Sequence, residues 1–209
     1  MGEFLLALRN MLDEDKPNQV LLDVQEGYRQ LFGVDGEFIL NAPENYLALM
    51  TSAGRAGDNN KIISLADLLT VEGEAFALKG DYPQSQRRYC KALHVLIDSY
   101  LARNFDKSLD HTERIDQLIS LSADDSIPLE TLNRVFHYYE RVGRFAQAED
   151  TLYELLNSAN DNDDDDAYDG YADEGIAFYQ RLLEHDDYTL QVGGLPRAEV
   201  AEGLSKLVD

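Results

Sequence analysis

Leu69-Thr-Val-Glu-Gly73-Glu-Ala-Phe76-Ala-Leu-Lys-Gly80-Asp81-Tyr82-Pro83-Gln-Ser85-Gln-Arg-Arg-Tyr89-Cys-Lys-Ala92 reads as two helices joined by a tight turn. Upstream of the turn, residues 61–79 carry Ile62, Leu65, Ala66, Leu69, Phe76 and Leu78 on a broad apolar stripe at helical spacing. Gly80 and Asp81 stop that helix. The next begins near Pro83 and carries Tyr89, Ala92, Leu93, Leu96, Ile97 and Tyr100 on its apolar side to about residue 104.

The same layout recurs later in the chain. Leu69, Gly73, Phe76, the turn Gly80-Asp81-Tyr82, Ser85, Tyr89 and Ala92 are matched, offset for offset, by Leu132, Phe136, Tyr139, Gly143-Arg144-Phe145, Ala148, Leu152 and Leu155. Each position has a packing reason: small residues such as Ser85 and Ala148 sit where two helices cross closely, and an aromatic after each turn glycine closes the bottom of the hairpin. The pattern resembles the tetratricopeptide repeat: a bulky residue, a small one, an aromatic, a turn glycine, a small residue, an aromatic or aliphatic, and an alanine. Departures are plain. Leu69 and Leu132 stand where the repeat prefers Trp, Phe136 replaces the small residue, Leu155 replaces the alanine, and no proline closes either unit. The turn glycines Gly80 and Gly143 lie 63 residues apart rather than one repeat period, which implies divergent, non-tandem hairpins. What the resemblance implies is an all-α fold: antiparallel helical hairpins stacked into a short right-handed α-solenoid. Further segments, Pro128-Leu-Glu-Thr-Leu, Tyr138-Tyr-Glu, Ala148-Glu-Asp and residues 196–207, look like an uncharacterised bacterial family of tetratricopeptide-like proteins.

Outward from the hairpins the period stays helical. Leu21, Val24, Tyr28, Leu31 and Phe32 share one helix face that ends at residues 33–36. A short helix or turn holds Phe38, Ile39 and Leu40, and Pro43 opens a helix to about residue 56, followed by a turn at 57–60. A helix with Leu109, Ile115, Leu118 and Ile119 precedes a polar loop at 122–127. Pro128 opens the helix that Gly143 closes, and residues 145–157 form the next. Residues 160–170 contain six aspartates, whose mutual repulsion reads as a solvated loop. Helical spacing returns at 171–185, residues 188–192 read as extended loop, and Pro196 opens a last helix ending near Val208. The organisation expected is one helical domain, 1–209, with N-terminal helices at 1–56, hairpins at 60–158, an acidic loop at 159–170 and capping helices at 171–209.

Composition narrows the function. A formal charge of −22 over 209 residues repels phosphate polymers and anionic membrane surfaces, so neither nucleic acid nor membrane is an expected partner, while 44% hydrophobic content is ordinary for a globular chain. Residues 1–12 carry Glu3 ahead of an apolar run and lack a basic leader, and no apolar stretch approaches the roughly 20 residues of a membrane span. Cys90 is the single cysteine, fits a buried apolar position, and suits a reducing compartment. These readings place the protein in the cytoplasm.

No catalytic residues, metal site or cofactor are expected. The chain has no glycine-rich phosphate loop, nucleophile elbow or His-Glu-x-x-His, and His94, His111, His137 and His185 fall on different elements. The aspartate run fails calcium-loop spacing: counted from Asp161 it puts Asp166 at the glycine position and Ala172 at the bidentate one. The carboxylates Glu72 and Glu74 are such as so acidic a chain produces by chance. Mapped on the tetratricopeptide resemblance, Asn133, Arg134, His137 and Arg141 fall near the inner face of the second hairpin's first helix, with Leu132, Val135, Phe136 and Tyr139 toward the core. Arg134, His137 and Arg141, spaced by three and four, share one side. Their positive character suits a protein or peptide partner bearing acidic groups or a C-terminal carboxylate. The competing reading pairs them with the chain's own acids, among them Glu130, Glu140 and the aspartates at 163–166. The first hairpin offers Asp67, Thr70, Glu74 and Ala77 at the matching places and does not extend the basic character. Two other functions stay open: a small-ligand binder or enzyme using a pocket between the N-terminal helices and the first hairpin, and a structural homo-oligomer.

Overall fold

Gly80 and Gly143 take left-handed backbone, with φ of 75° and 79°, and both end a helix in the same way. At the first turn the Asp81 amide donates to the Phe76 carbonyl (2.9 Å) and the Gly80 amide to Ala77 (2.9 Å); at the second, Arg144 donates to Tyr139 (2.9 Å) and Gly143 to Glu140 (3.1 Å). This double bond satisfies carbonyls that a helix end would leave bare, and it needs a residue without a Cβ penalty at positive φ.

The computed structural model describes residues 1–43, 46–47, 59–102, 111–122, 127–162 and 164–208. Among them the regular structure is entirely helical: α1 (Gly2–Asp13), α2 (Pro17–Phe32), α3 (Gly36–Asn41), α4 (Asn59–Leu78), α5 (Tyr82–Leu101), α6 (Thr112–Ser122), α7 (Leu129–Val142), α8 (Phe145–Asp161), α9 (Asp165–Leu183), α10 (Asp187–Val192) and α11 (Arg197–Val208). The chain divides into two compact units, Met1–Ile127 and Pro128–Asp209.

In the first unit α4 and α5 form the hairpin of the opening sequence, and α1, α2 and α6 pack around it. Gly73 lets them approach: a Cβ there would lie 2.5 Å from Tyr89 Cε1. Ser85 is buried at the same crossing. Val20, Val24 and Tyr28 of α2, Leu65, Leu68 and Leu69 of α4, and Leu93, Leu96 and Ile97 of α5 are all fully enclosed, each apolar side chain stabilising the fold by about 1.5–3 kcal/mol on area grounds. Cys90 is buried among them.

The second unit pairs α7 with α8, packs α9 on α8 and packs α11 on α9. Phe136 and Phe178 meet edge to face, 5.2 Å between centroids, and Arg181 of α9 grips both oxygens of Glu140 on α7 at 2.7 and 2.8 Å. Small residues again set the close crossings: a Cβ on Gly175 would meet Leu207 and Leu152, and one on Gly203 the ring of Tyr179.

Several expectations need correction. Residues 159–161 and 165–170 are helical instead of loop. Helix α8 continues to Asp161, past the expected end at 157, and α9 begins at Asp165, with Asp164 as its cap accepting from the Ala167 amide at 3.0 Å. Asp165 and Asp166 fall in the first turn of α9, where the helix dipole favours negative charge by about 0.3–1 kcal/mol per residue and offsets their repulsion. Residues 188–192 are helical, not extended: Asp186 accepts from the Thr189 amide at 2.7 Å, capping α10, and Leu190 is buried. Tyr138, not Tyr139, is fully enclosed, while Tyr139 is half-buried with Arg144 near its ring. Asn59 and Asn60 open α4 instead of completing a turn. Most of the helix expected to follow Pro43, the position of Leu109, and residues 123–126 of the polar loop lie outside the described residues.

Candidate functional site

Helix α7 carries the four residues singled out by spacing, and they fare differently. Arg134 is four-fifths covered and donates to Glu130 Oε1 (3.0 Å) and to the Glu130 carbonyl (3.2 Å). His137 lies against Phe136, and its Nε2 is 3.5 Å from Glu174 Oε1 of α9. The Asn133 Oδ1 is buried with no hydrogen-bond partner among the described residues. Arg141, in the last turn, is exposed and forms no ion pair with a described residue, its charge suiting the carbonyl end of the helix. The fold thus brings Arg134 and His137 onto the chain's own acids and leaves Arg141 facing outward. Glu130 is the acid that takes Arg134, whereas Glu140 is taken by Arg181.

The matching surface of the first hairpin is acidic and engaged. Asp67 accepts from Arg114 Nε at 3.2 Å, and Thr70 is buried with its hydroxyl on the Ala66 carbonyl. Burial raises the pKa of Glu74, with Arg9 opposing and Asp13 and Asp67 adding to the rise.

A buried polar cluster between α2, α4 and α5 went unread in the sequence. Glu72 and Arg88 are 1% and 3% exposed and 3.3 Å apart. Glu72 accepts from the Tyr28 hydroxyl at 2.9 Å and from Gln25 Nε2 at 3.1 Å. Arg88 lies over the Phe76 ring, 4.4 Å from its centroid, bonds Gln84 Oε1, and reaches Glu37 at 3.7 Å. Enclosure drives the Tyr28 hydroxyl pKa well up, helped by the charge and hydrogen bond of Glu72 and opposed by Arg88. With both oxygens occupied and 1% exposure, Glu72 ties α2, α4 and α5 together. A signal existed: Glu72 continues the stripe of Leu65, Leu68 and Leu69 by three and four, and an acid on a buried stripe demands a partner. The second unit repeats the device, with the Tyr179 hydroxyl donating to Glu149 Oε1 at 2.7 Å. Burial, then the bond to Glu149, drives the Tyr179 pKa far up, and burial raises that of Glu149.

Among the described residues no group of three or more His, Cys, Asp or Glu side chains is placed to hold a metal ion, and no helix is long and apolar enough to cross a membrane. The model of a family of unknown function, DUF6483, matches residues 55–209, well over half of the chain, and the chain belongs to that family. No curated protein and no solved structure matches it.

Proposed function

We propose that this DUF6483 member is a non-catalytic interaction module of tetratricopeptide-like hairpins, which takes a protein or peptide partner on the outward side of α7. The observation that carries the reading is Arg141, exposed and in no ion pair with a described residue, one and two turns beyond His137 and Arg134 on the first helix of a hairpin. Support for the hairpin class comes from the shared turn at Gly80 and Gly143 and from the Gly73–Tyr89 contact, which joins the small and aromatic positions of the repeat. Within the second unit α9 packs on α7 and α8 and continues with α11, as the first helix of a following hairpin would. An exposed guanidinium on so acidic a chain suits a carboxylate from outside, through two parallel hydrogen bonds.

The test is capture of partners by the full chain, comparing wild type with Arg141→Glu after circular dichroism shows equal helicity. The reading expects a discrete partner that wild type retains and the variant loses, with salt weakening the capture. Equal capture by both proteins would sink this site.

A further inference from the structure

The first unit contains a cleft of about 250 Å³ among α1, α4, α5 and α6. Ala66, Leu96 and Leu118 form its apolar part; Arg9, Asp67, Glu113, Arg114 and Gln117 supply the polar groups. Asp67 fixes one of the guanidiniums, accepting from Arg114 Nε at 3.2 Å. That bond leaves Nη1 and Nη2 of Arg114 without a partner among the described residues, the paired edge that grips a carboxylate bidentately. Arg9 arrives from α1 and Glu113 from α6, and neither forms an ion pair with a described residue. The cleft therefore gathers groups of both signs around one volume, with Arg9 also close enough to Glu74 to hold its pKa down.

Two magnitudes select the ligand. The volume falls just below the roughly 300–1,000 Å³ of drug-sized sites, which points to a metabolite of few heavy atoms. The lining carries two cations and two anions, and the chain as a whole carries −22, a field that opposes a net anion and leaves a neutral zwitterion unpenalised. We propose that this cleft binds a free α-amino acid, its carboxylate held by Arg114 and Arg9 and its ammonium by Glu113 and Gln117. The site is separate from the α7 surface and does not depend on it.

Calorimetric titration of the full chain with the free L-α-amino acids tests the assignment, with n-butyrate and n-butylamine as probes of single charge. At least one amino acid binds saturably at one site, and Arg9→Gln and Glu113→Gln each weaken it about tenfold, the effect of one charge-assisted bond. Both side chains are exposed on helix surfaces, so the variants keep the fold, which circular dichroism checks. The assignment is overturned by the absence of saturable binding below about 10 mM. It is equally overturned by binding that survives both substitutions, or by n-butyrate or n-butylamine binding as tightly as the amino acid.

Discussion

Replacing Gly73 with alanine sets two opposed effects against each other, and the structure decides the sign. Inside a helix, alanine is favoured over glycine by about 1 kcal/mol. The added Cβ at Gly73, however, would lie 2.5, 2.8 and 3.2 Å from three ring carbons of Tyr89, against an optimum near 3.5–4.0 Å for carbon contacts. The ring would have to retreat by about 1 Å, and Tyr89 is only 5% exposed, so it has no open space to enter. Overpacking of this kind costs about 1–3 kcal/mol, and the net expectation is a loss of about 1 kcal/mol. Gly170 supplies the control: it is also helical, and a Cβ there meets nothing within 4 Å, so Gly170→Ala should stabilise by up to about 1 kcal/mol. Urea denaturation followed by circular dichroism measures both. Gly73→Ala/Tyr89→Leu, which removes the ring, should recover most of the loss. If Gly73→Ala raises stability as Gly170→Ala does, the close crossing of α4 and α5 is not real and the hairpin register built on it fails.

Three other outcomes follow from the buried acids and tyrosines. Glu72→Ala should cost about 3–5 kcal/mol in urea denaturation because it strands the Arg88 guanidinium in the core, whereas Glu72→Met/Arg88→Met should be much milder; equal losses would mean that the pair is not desolvated. The Tyr28 pKa is raised by folding, so its contribution is fully present below the unfolded value near 10 and lost above it, at a slope of about 1.4 kcal/mol per pH unit. Phenolate absorbance should accordingly show tyrosines that ionise only as the helices melt. Burial raises Glu74 and Glu149 above the ordinary 4.5, so the folded state binds their protons more tightly than the unfolded chain. Thermal stability should therefore rise as pH falls from 7 toward about 5, and Glu74→Gln should raise the midpoint at pH 7 and shrink that rise.

The legible parts of the fold were those fixed by local chemistry. A turn glycine at positive φ, a small residue facing an aromatic sixteen positions on, and apolar stripes at helical spacing are demands that neighbours in sequence state directly, as Gly80, Gly143 and the Gly73–Tyr89 pair do. The acidic stretch misled because repulsion among aspartates is visible in sequence, while the cap at Asp164 and the dipole of α9 exist only once the helix does. Residues 188–192 misled because five residues are too few to separate a strand period from one helical turn capped by Asp186. On the candidate surface, the Arg134–Glu130 pair was readable as a four-residue step; the approach of Glu174 to His137 was not, since it depends on how α9 lies on α7.

The polar core has a logic that composition alone hides. A chain with 40 acidic residues cannot keep every carboxylate at its surface without mutual repulsion, and an ionised carboxylate taken inside needs donors in place of water. Both units use a tyrosine hydroxyl as that donor: Tyr28 on Glu72 and Tyr179 on Glu149. A phenol is suited to the role because its ring is buried as an apolar body while its one polar atom reaches the acid, and its proton is retained at any ordinary pH. The first unit adds Arg88, which lets Glu72 go fully under cover; Glu149 meets no buried arginine among the described residues and is itself only partly covered, although Tyr179 is enclosed. The difference makes the two sites separable by experiment. Tyr179→Phe removes a hydroxyl from a carboxylate that water can still reach and should cost about 1 kcal/mol, whereas Tyr28→Phe strips a donor from an acid that water cannot reach and should cost the larger penalty, about 2–3 kcal/mol. Equal losses in urea denaturation would mean that depth of burial does not govern the strength of these bonds, and the ordering derived from Arg88 would fall with it.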